Sequence, residues 1–359
     1  MNNRSYFALG IMTGTSLDGI DLSLCFTDGK TRLKNIKSSY VAYKTALRNE
    51  IKDCIVRFHN SKYSIEDLIF LRKKISKEYV RAIQKFIDKH NYKIDLICIH
   101  GQTVYHNPSM KSSIQLCDGP YIAKELKKKV VYDFRQSDLR NGGEGAPLAP
   151  IYHQLILKKN KLMGNTCFIN IGGISNISIC SSSRKIIAYD TGPGMCLLDK
   201  YVIQTKNILF DQNGKFSSKG KIDWNLINKL MQDNYFKKKY PKSLDNNYFK
   251  LSPFKHLDFF DTCATISAFT AASIVQSLKA HRIEKVIITG GGSKNKFIIK
   301  LVKDLSNVHI IPNKDLDIKV DFVESDAFSY LGVRRLKNLP ISFPSTTNVS
   351  SATTGGKII

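Results

Sequence analysis

The chain has 359 residues, of which 42% are hydrophobic and 24% charged, a balance typical of a globular protein of two ordinary domains. No apolar run approaches the roughly eighteen residues of a membrane span, and no apolar leader follows Met1, so we expect a cytoplasmic protein. The formal net charge of +25 comes without a zinc-finger, RNP or aromatic-basic pattern, which argues against a dedicated nucleic-acid-binding protein.

The positive charge permits two interpretations. Lysines are spread along the whole chain, and Lys, Asn and Ile are abundant together, as codon drift in an AT-rich genome would produce. A polyanionic partner is the alternative. We expect no specific nucleic acid and no membrane as partners, while a homodimer is left open.

Short apolar runs alternate with longer helical patterns, which predicts an α/β fold. In chain order, the predicted strands are residues 6–12, 20–26, 96–100, 130–132, 167–171, 177–180, 286–289 and 308–311. The predicted helices are residues 44–59, 64–90, 147–158, 194–204, 262–280, 294–305 and 324–337. The polar stretch 158–161 is the best position for a boundary, so we predict lobes of residues 1–160 and 161–359.

Each predicted lobe opens with a glycine-bearing hairpin. Residues 6–27 read as strand, turn and strand, with the turn at 14–19, and residues 167–180 repeat the pattern with a turn at 172–176. The repetition indicates a duplicated lobe, although short hairpins are common.

The first hairpin turn, Gly14-Thr15-Ser16-Leu17-Asp18-Gly19, fits the glycine spacing of a P-loop. Ile20-Asp21 follows where that motif needs Lys-Ser/Thr, so a Walker A site is excluded. Small residues with backbone N–H groups, hydroxyls and a nearby carboxylate suit phosphate oxygens and a hydrated Mg²⁺. An ordinary hairpin turn is the alternative.

The motif Asp190-Thr191-Gly192-Pro193-Gly194 lies between a strand-like run and a helical run. A carboxylate at a strand end, followed by small residues that open a helix, predicts a base beside an anion-binding helix N-terminus. An Asp that merely caps the helix is the alternative.

Gly290-Gly291-Gly292-Ser293-Lys294-Asn295 follows the apolar run 286–289 and opens another predicted helix. Three successive glycines allow the backbone to lie close to a planar group or a phosphate. A helix-start turn that needs positive φ is the alternative, and the spacing does not fit a dinucleotide-binding fingerprint.

Three further polar segments follow predicted strands or open helices. His100-Gly101-Gln102-Thr103 follows a buried strand, where α/β folds bind ligands. Arg135, in Asp133-Phe134-Arg135, could hold a carboxylate with two hydrogen bonds. Residues 141–148 form a glycine-rich loop. For each segment a structural role is an equal alternative, including a buried His100 and an Arg135 paired with Asp133 or Asp138.

Taken together, these segments resemble the anhydro-N-acetylmuramic acid kinase family, bacterial enzymes of cell-wall recycling. The segments that carry the resemblance are residues 12–21, 100–104, 133–135, 142–150, 170–176, 190–194, 241–243 and 290–295, with Glu324, Ala327 and Phe328. The resemblance implies two RNase H-like lobes of the actin/hexokinase type with ATP and sugar in the cleft. It also implies cleavage of the 1,6-anhydro ring of 1,6-anhydro-N-acetylmuramate with phosphorylation at O6.

The motifs and the resemblance together give the expected site. Asp190 is the expected catalytic base that activates water. Arg135, His100 and Glu324 are expected to bind the sugar. Arg135 would bind its lactyl carboxylate, and Glu324 would either accept hydrogen bonds from sugar hydroxyls or help hold that water. Mg²⁺ is expected with ATP, through Asp18 or Asp21 and without a direct protein site. The expected ATP-binding residues are Gly14, Thr15, Ser16, Leu17, Asp18, Gly19, Ile20, Asp21, Gly172, Gly173, Gly290, Gly291, Gly292 and Asn295.

The chain departs from the family pattern in places. The usual P-K-S-T-G-R-E reads P-K-S-L-D-N-N from Pro241, Met195 stands where Asn is common, and the C-terminal P-S-x-T-G-A ends in Asn348-Val349. These departures lie at the expected substrate rim and in the tail, and none of them changes the expected base. Another sugar kinase or ATPase of the same fold, or a basic nucleic-acid-binding protein, remains the alternative function.

Overall fold

The computed structural model describes residues 4–14, 16–59, 62–181, 185–245, 248–316 and 318–359. The chain divides into two compact units, a first unit of Met1–Leu155 with Phe322–Ile359 and a second unit of Ile156–Asp321. The predicted C-terminal lobe of 161–359 differs from this division, because the helix Val323–Leu336 packs on the sheet of the first unit and the strand Lys357–Ile358 extends that sheet.

The first unit is built on a six-stranded sheet with the order β13-β7-β4-β1-β2-β3. β1, β2 and β3 are antiparallel neighbours, β4 and β7 run parallel to β1, and β13 pairs antiparallel with β7. β5 and β6 form a separate hairpin. The strands are β1 Tyr6–Met12, β2 Gly19–Thr27, β3 Leu33–Ala42, β4 Leu96–Ile99, β5 Gln102–Asn107, β6 Ser112–Leu116, β7 Val130–Tyr132 and β13 Lys357–Ile358.

Helices of the first unit cover this sheet and bury its apolar side chains. The helices are α1 Thr45–His59, α2 Ile65–His90, α3 Gly119–Leu126, α4 Gln136–Arg140, α5 Pro150–Lys159 (which continues into the second unit), α11 Val323–Leu336 and α12 Pro344–Thr347. α2 begins at Ser64, whose side chain accepts from the Asp67 N–H, and ends at the left-handed Asn91. α11 lies directly on β1, because a Cβ on Gly10 would stand 1.9 Å from the Ser325 carbonyl oxygen.

The second unit contains a five-stranded sheet with the order β10-β9-β8-β11-β12. β8, β9 and β10 are antiparallel neighbours, while β11 and β12 run parallel to β8. The strands are β8 Thr166–Ile171, β9 Ile174–Cys180, β10 Ile186–Pro193, β11 Lys285–Thr289 and β12 His309–Ile310. The helices are α6 Cys196–Lys206, α7 Trp224–Leu230, α8 Asn234–Lys237, α9 Phe259–Ala280 and α10 Lys296–Ser306.

Both sheets share one topology. In each, the first three strands form an antiparallel meander in the order third-second-first, and two further strands continue the sheet parallel to the first. This is the strand order of the RNase H-like lobes of actin/hexokinase-type proteins. The predicted α/β class and the duplication inferred from the two hairpins are confirmed. In the described part of the chain, no helix is both long and apolar enough to cross a membrane.

Candidate active site

The glycine-bearing segments of the second unit meet at one edge of its sheet. Asn170, near the end of β8, pairs with Asn176 of β9 and with Thr289 of β11. The β8–β9 turn and the triple glycine after β11 therefore both begin beside Asn170. A Cβ on Gly292 would lie 2.3 Å from the Ile171 side chain and 3.0 Å from the Met195 sulfur. The sequence predicted each segment separately, and the structure brings them together.

Direct hydrogen bonds join the β8–β9 turn to the start of α6. The Gly172 carbonyl accepts from the Met195 N–H at 2.8 Å, and the Gly173 carbonyl accepts from the N–H groups of Gly194 at 2.9 Å and Cys196 at 3.0 Å. These three donors are engaged within the protein. The prediction that the start of α6 binds an anion is therefore wrong for these N–H groups. The two turn glycines instead hold the motif in place through their carbonyls.

The triple glycine forms a short 3₁₀ turn between β11 and α10. Gly290 has φ +80°, and a Cβ there would lie 2.6 Å from the Ile171 carbonyl oxygen, whereas a Cβ on Gly291 would meet nothing within 4 Å. Asn295 is 2% exposed, and its side-chain oxygen caps α10 by accepting from the Phe297 and Ile298 N–H groups. The turn therefore combines one crowded glycine with one that borders open space.

Asp190 lies inside β10 at a β-bulge, not after the strand as the sequence predicted. β10 continues to Pro193 because Gly192 and Pro193 still pair with β9 across the bulge. The Leu244 N–H donates to Oδ2 of Asp190 at 2.8 Å, and the Tyr235 hydroxyl donates to the Asp190 carbonyl oxygen at 2.7 Å. The half-buried carboxylate is thus presented at the sheet edge in a fixed orientation.

Lys242 places a positive charge near Asp190. Its Nζ donates to the Tyr235 carbonyl at 3.1 Å and lies 4.6 Å from the Tyr235 ring centroid. The pKa of Lys242 is lowered by burial and by Lys238, and Asp190 opposes this shift. Sequence reasoning used residues 241–243 only for the resemblance and missed this contact; the motif itself was the available signal, whereas nothing in the sequence marks Tyr235.

In the first unit, the turn after β1 presents few of the expected ATP-binding side chains. Leu17 and Ile20 are buried in the core, and Gly19 and Ile20 pair with β3. Ser16 and Asp18 are exposed, and the Ser16 hydroxyl donates to Asp18 at 2.6 Å. Thr15 lies outside the described residues. What remains for a ligand is the backbone, Ser16, Asp18 and the half-buried Asp21.

The positive φ in this turn belongs to Leu17, at 56°, and not to Gly14. The Gly14 carbonyl accepts from the Leu17 N–H at 3.3 Å and from Nε2 of Gln102 at 3.2 Å. A Cβ on Gly14 would meet nothing closer than 3.4 Å. Gly14 therefore does not adopt positive φ, and Gln102 is a second anchor of the turn.

His100 and Arg135 lie together where β4 and β7 end at one edge of the sheet. His100 is 2% exposed, and its Nε2 accepts from Nε of Arg135 at 2.9 Å, which assigns the ring proton to Nδ1. Burial and the Arg135 charge lower the pKa of His100 well below its usual range. The imidazole therefore stays neutral and fixes the guanidinium.

Arg135 does not form the alternative pairing with Asp133 or Asp138. Its Nη1 donates to the Gly145 carbonyl at 2.8 Å, and no carboxylate of the described residues forms an ion pair with it. Asp133 pairs with Lys357 at 2.8 Å, while Asp138 accepts from the Gly145 N–H and the Thr347 hydroxyl. Two protein acceptors thus orient Arg135 and leave part of its donor capacity for an anionic ligand.

Glu324, in the first turn of α11, is electrostatically coupled to Arg135. Desolvation raises the pKa of its carboxyl, and the Arg135 charge opposes the rise. Reciprocally, burial lowers the pKa of Arg135 to about 10, and Glu324 and Asp138 oppose this. The structure thus brings His100 and Arg135 into contact, while Glu324, whose side chain is exposed, is linked to Arg135 through its charge alone.

Comparison with known proteins accounts for the whole set of motifs. The family model described as anhydro-N-acetylmuramic acid kinase matches residues 6–359. Proteins named anhydro-N-acetylmuramic acid kinase from Pelagibacter ubique and Zymomonas mobilis are 36% and 35% identical, over 99% and 98% of this chain and 99% of each relative. One from Caulobacter vibrioides is 34% identical over 98% of both chains. The chain belongs to the anhydro-N-acetylmuramic acid kinase family.

Proposed function

We propose that the chain uses ATP and water to convert 1,6-anhydro-N-acetylmuramate to N-acetylmuramate 6-phosphate and ADP, a step of peptidoglycan recycling and amino-sugar catabolism. Family membership over nearly the whole chain supports this, and it makes the enzyme a phosphotransferase with an alcohol acceptor. The structural observation that carries the proposal is the oriented carboxylate of Asp190 among the glycine-bearing segments of its sheet edge. A nucleic-acid-binding role is not favoured, because the charge alone suggested it.

In the proposed reaction, Asp190 accepts one proton from the attacking water. Water attacks the anomeric carbon C1, Asp190 takes the proton of that water, and the C1–O6 bond breaks. O6 then forms its bond to the γ-phosphorus as the bond to the ADP oxygen breaks. A general base must lie within hydrogen-bond distance of the proton that it removes, which is why a fixed carboxylate suits the role.

Isotope labelling tests this bond assignment. In H₂¹⁸O, mass spectrometry should find the label at the C1 hydroxyl of the sugar phosphate and none in its phosphoryl group. Label in inorganic phosphate without a labelled sugar would instead show ATP hydrolysis, and the proposed function would be wrong.

Each of the two glycine turns offers groups that suit the phosphate oxygens of ATP. The turn after β1 exposes Ser16 and Asp18, and the triple glycine has open space beside Gly291. Backbone N–H groups and hydroxyls in such turns suit anionic oxygens. Asp18 or Asp21 would hold Mg²⁺ through water. Mg²⁺ bound with ATP would neutralise phosphate charge during transfer.

Asp18→Ala or Asp21→Ala should weaken the use of Mg-ATP, because Mg²⁺ prefers oxygen ligands and a carboxylate can hold its bound waters. We expect calorimetry to show weaker Mg-ATP binding in at least one variant, with a raised KM for ATP. Asp53→Ala, on the exposed surface of α1, is the matched control. Unchanged affinity and turnover in both variants would remove these residues from the ATP site.

Arg135 is suited to bind the lactyl carboxylate that distinguishes muramate from glucosamine. Its planar guanidinium can donate two parallel hydrogen bonds to a carboxylate. His100 and the Gly145 carbonyl hold it from the protein side, and Glu324 lies close enough to couple to it. Glu324 would accept hydrogen bonds from sugar hydroxyls.

Arg135→Ala should weaken binding of the anhydromuramate by about 1.5–3 kcal/mol, the range for hydrogen bonds to charged groups. The loss should be much smaller for an anhydrosugar without the lactyl group. Arg135→Lys keeps the charge but loses the planar fork, so it should recover only part of the loss. Equal weakening of both sugars, or a lowered Tm alone, would make Arg135 a structural residue.

We also propose a cytoplasmic location, where ATP is available.

A further inference from the structure

The segment 235–244 contacts Asp190 at three separate atoms. The Tyr235 hydroxyl donates to the Asp190 carbonyl oxygen, and the Leu244 N–H donates to carboxylate Oδ2. The Asp190 N–H in turn donates to the Lys242 carbonyl at 3.0 Å. Two of these bonds hold the main chain on either side of the Cα atom, and the third holds the side chain.

Contacts within the segment 235–244 and with the core hold it in one conformation. Tyr235 is 1% exposed and belongs to the hydrophobic core of the second unit. The Lys242 ammonium binds the Tyr235 carbonyl and lies over the Tyr235 ring. Lys242 therefore joins the end of the segment to its beginning, and the core anchors both.

The β-bulge explains why Asp190 needs these contacts. The pairing of β10 with β9 shifts between Asp190 and Gly192. Asp190 still pairs with Asn176, but Thr191 beside it is the extra residue, so the ladder is interrupted directly after Asp190. The segment 235–244 supplies the missing constraint on the other side of the chain.

We propose that Tyr235 and Lys242 are positioning residues for Asp190, Tyr235 by holding its main-chain carbonyl and Lys242 by holding Tyr235 and its charge near the carboxylate. The proposal rests on the proposed role of Asp190 as the base. Misplacing a reacting group by 1 Å can cost about 10²-fold in rate, so the positioning has a kinetic consequence.

The charges around this contact give Lys242 an electrostatic effect as well. The groups near it are Asp190, Lys238 and the rings of Tyr189 and Tyr235. Tyr240 stacks on Tyr189, and His281 is hydrogen-bonded to the Tyr189 hydroxyl. Because Asp190 favours the charged form of Lys242, linkage requires that Lys242 favour the charged form of Asp190. Loss of this cation should move the acid limb of the kcat profile to higher pH.

Tyr235→Phe tests the positioning with a closely matched control. The Tyr248 hydroxyl also donates to an acidic residue, Asp233, and its ring lies 5.8 Å from that of Tyr235, so Tyr248→Phe removes a comparable hydroxyl from the same aromatic cluster. We expect Tyr235→Phe to lower kcat about 5- to 20-fold with both KM values within about twofold, and Tyr248→Phe to change neither. An equal kcat in the two variants, or a loss confined to KM, would overturn the role of Tyr235.

Lys242→Met and Lys242→Arg test the effect of the Lys242 charge on Asp190. They also test the proposal if Tyr235→Phe does not fold. The acid limb should move to higher pH in the Met variant and return towards wild type in the Arg variant. Identical limbs in wild type and Lys242→Met would overturn the role of Lys242.

Hydrogen exchange of the Asp190 amide separates this proposal from the proposed function. Exchange should be faster in Tyr235→Phe than in Tyr248→Phe, whether or not the enzyme turns over the anhydrosugar. If wild type forms no ADP with that sugar, the proposed function fails, while unchanged exchange in Tyr235→Phe refutes the positioning by itself.

Discussion

Asp190→Asn is expected to lower turnover by about 10²- to 10⁴-fold, the usual contribution of a general base. The amide keeps the size of the carboxylate, and its oxygen can still accept from the Leu244 N–H that holds Oδ2. The substitution therefore removes basicity with little change in shape. Turnover should be measured with both substrates saturating, so that a change in binding does not enter the result.

The control for this variant is Asp304→Asn. Asp304 lies on the exposed surface of α10 in the same unit, where its carboxylate pairs with Lys300. It should keep turnover within about twofold, as expected for a surface change away from the chemistry. Near-normal turnover in Asp190→Asn would show that another group accepts the proton.

Gly290→Ala is expected to destabilise the second unit by about 2–4 kcal/mol, from a left-handed backbone and overpacking together. At φ +80°, the new methyl group would lie 2.5 Å from Oδ1 of Asn170 and 2.6 Å from the Ile171 carbonyl. The β8–β9 turn would have to move, and with it the Asp190 motif. Thermal unfolding and ATP binding should both deteriorate.

Gly291→Ala is the matched change one residue away. A methyl group there meets no protein atom within 4 Å, so Tm should remain within about 2 °C of wild type. ATP binding should nevertheless weaken if the nucleotide occupies that space. Normal ATP affinity in Gly291→Ala would place the nucleotide elsewhere, and a Tm loss equal to that of Gly290→Ala would contradict the assigned turn geometry.

Strands and helices with a clear pattern of apolar residues could be predicted from the sequence. β1 and β7 occupy the predicted residues, and α2 lies within a residue of its predicted bounds, because buried runs and a capping Ser64 mark them. β3 was missed, since it lies at the sheet edge with only Leu33 fully buried and reads as polar. The short helices α7 and α8 lack a full helical period.

The return of Phe322–Ile359 to the first unit could not be read from the sequence. Its cause is a pair of close approaches, Gly10 to α11 and Gly332 to Cys98, which become visible only when distant segments are in contact. A boundary placed by local polarity cannot register such long-range packing.

The candidate site was predictable where a motif carries its own chemistry. Asp190, Arg135 and His100 stood out as polar residues at strand ends, and Arg135 and His100 do lie together. Their partners were hidden, because Gly145, Lys242 and Leu244 act through main-chain atoms that any residue possesses. For the same reason, the departure from the family pattern at Leu244 leaves its contact with Asp190 intact.

Coupled ADP release with three sugars tests the central claim most directly. With 1,6-anhydro-N-acetylmuramate, ATP and Mg²⁺, the enzyme should release one ADP per sugar consumed, and N-acetylmuramate and N-acetylglucosamine should give little more than the rate without sugar. ADP release that is equal for all three sugars, or absent with the anhydrosugar, would contradict the proposed function.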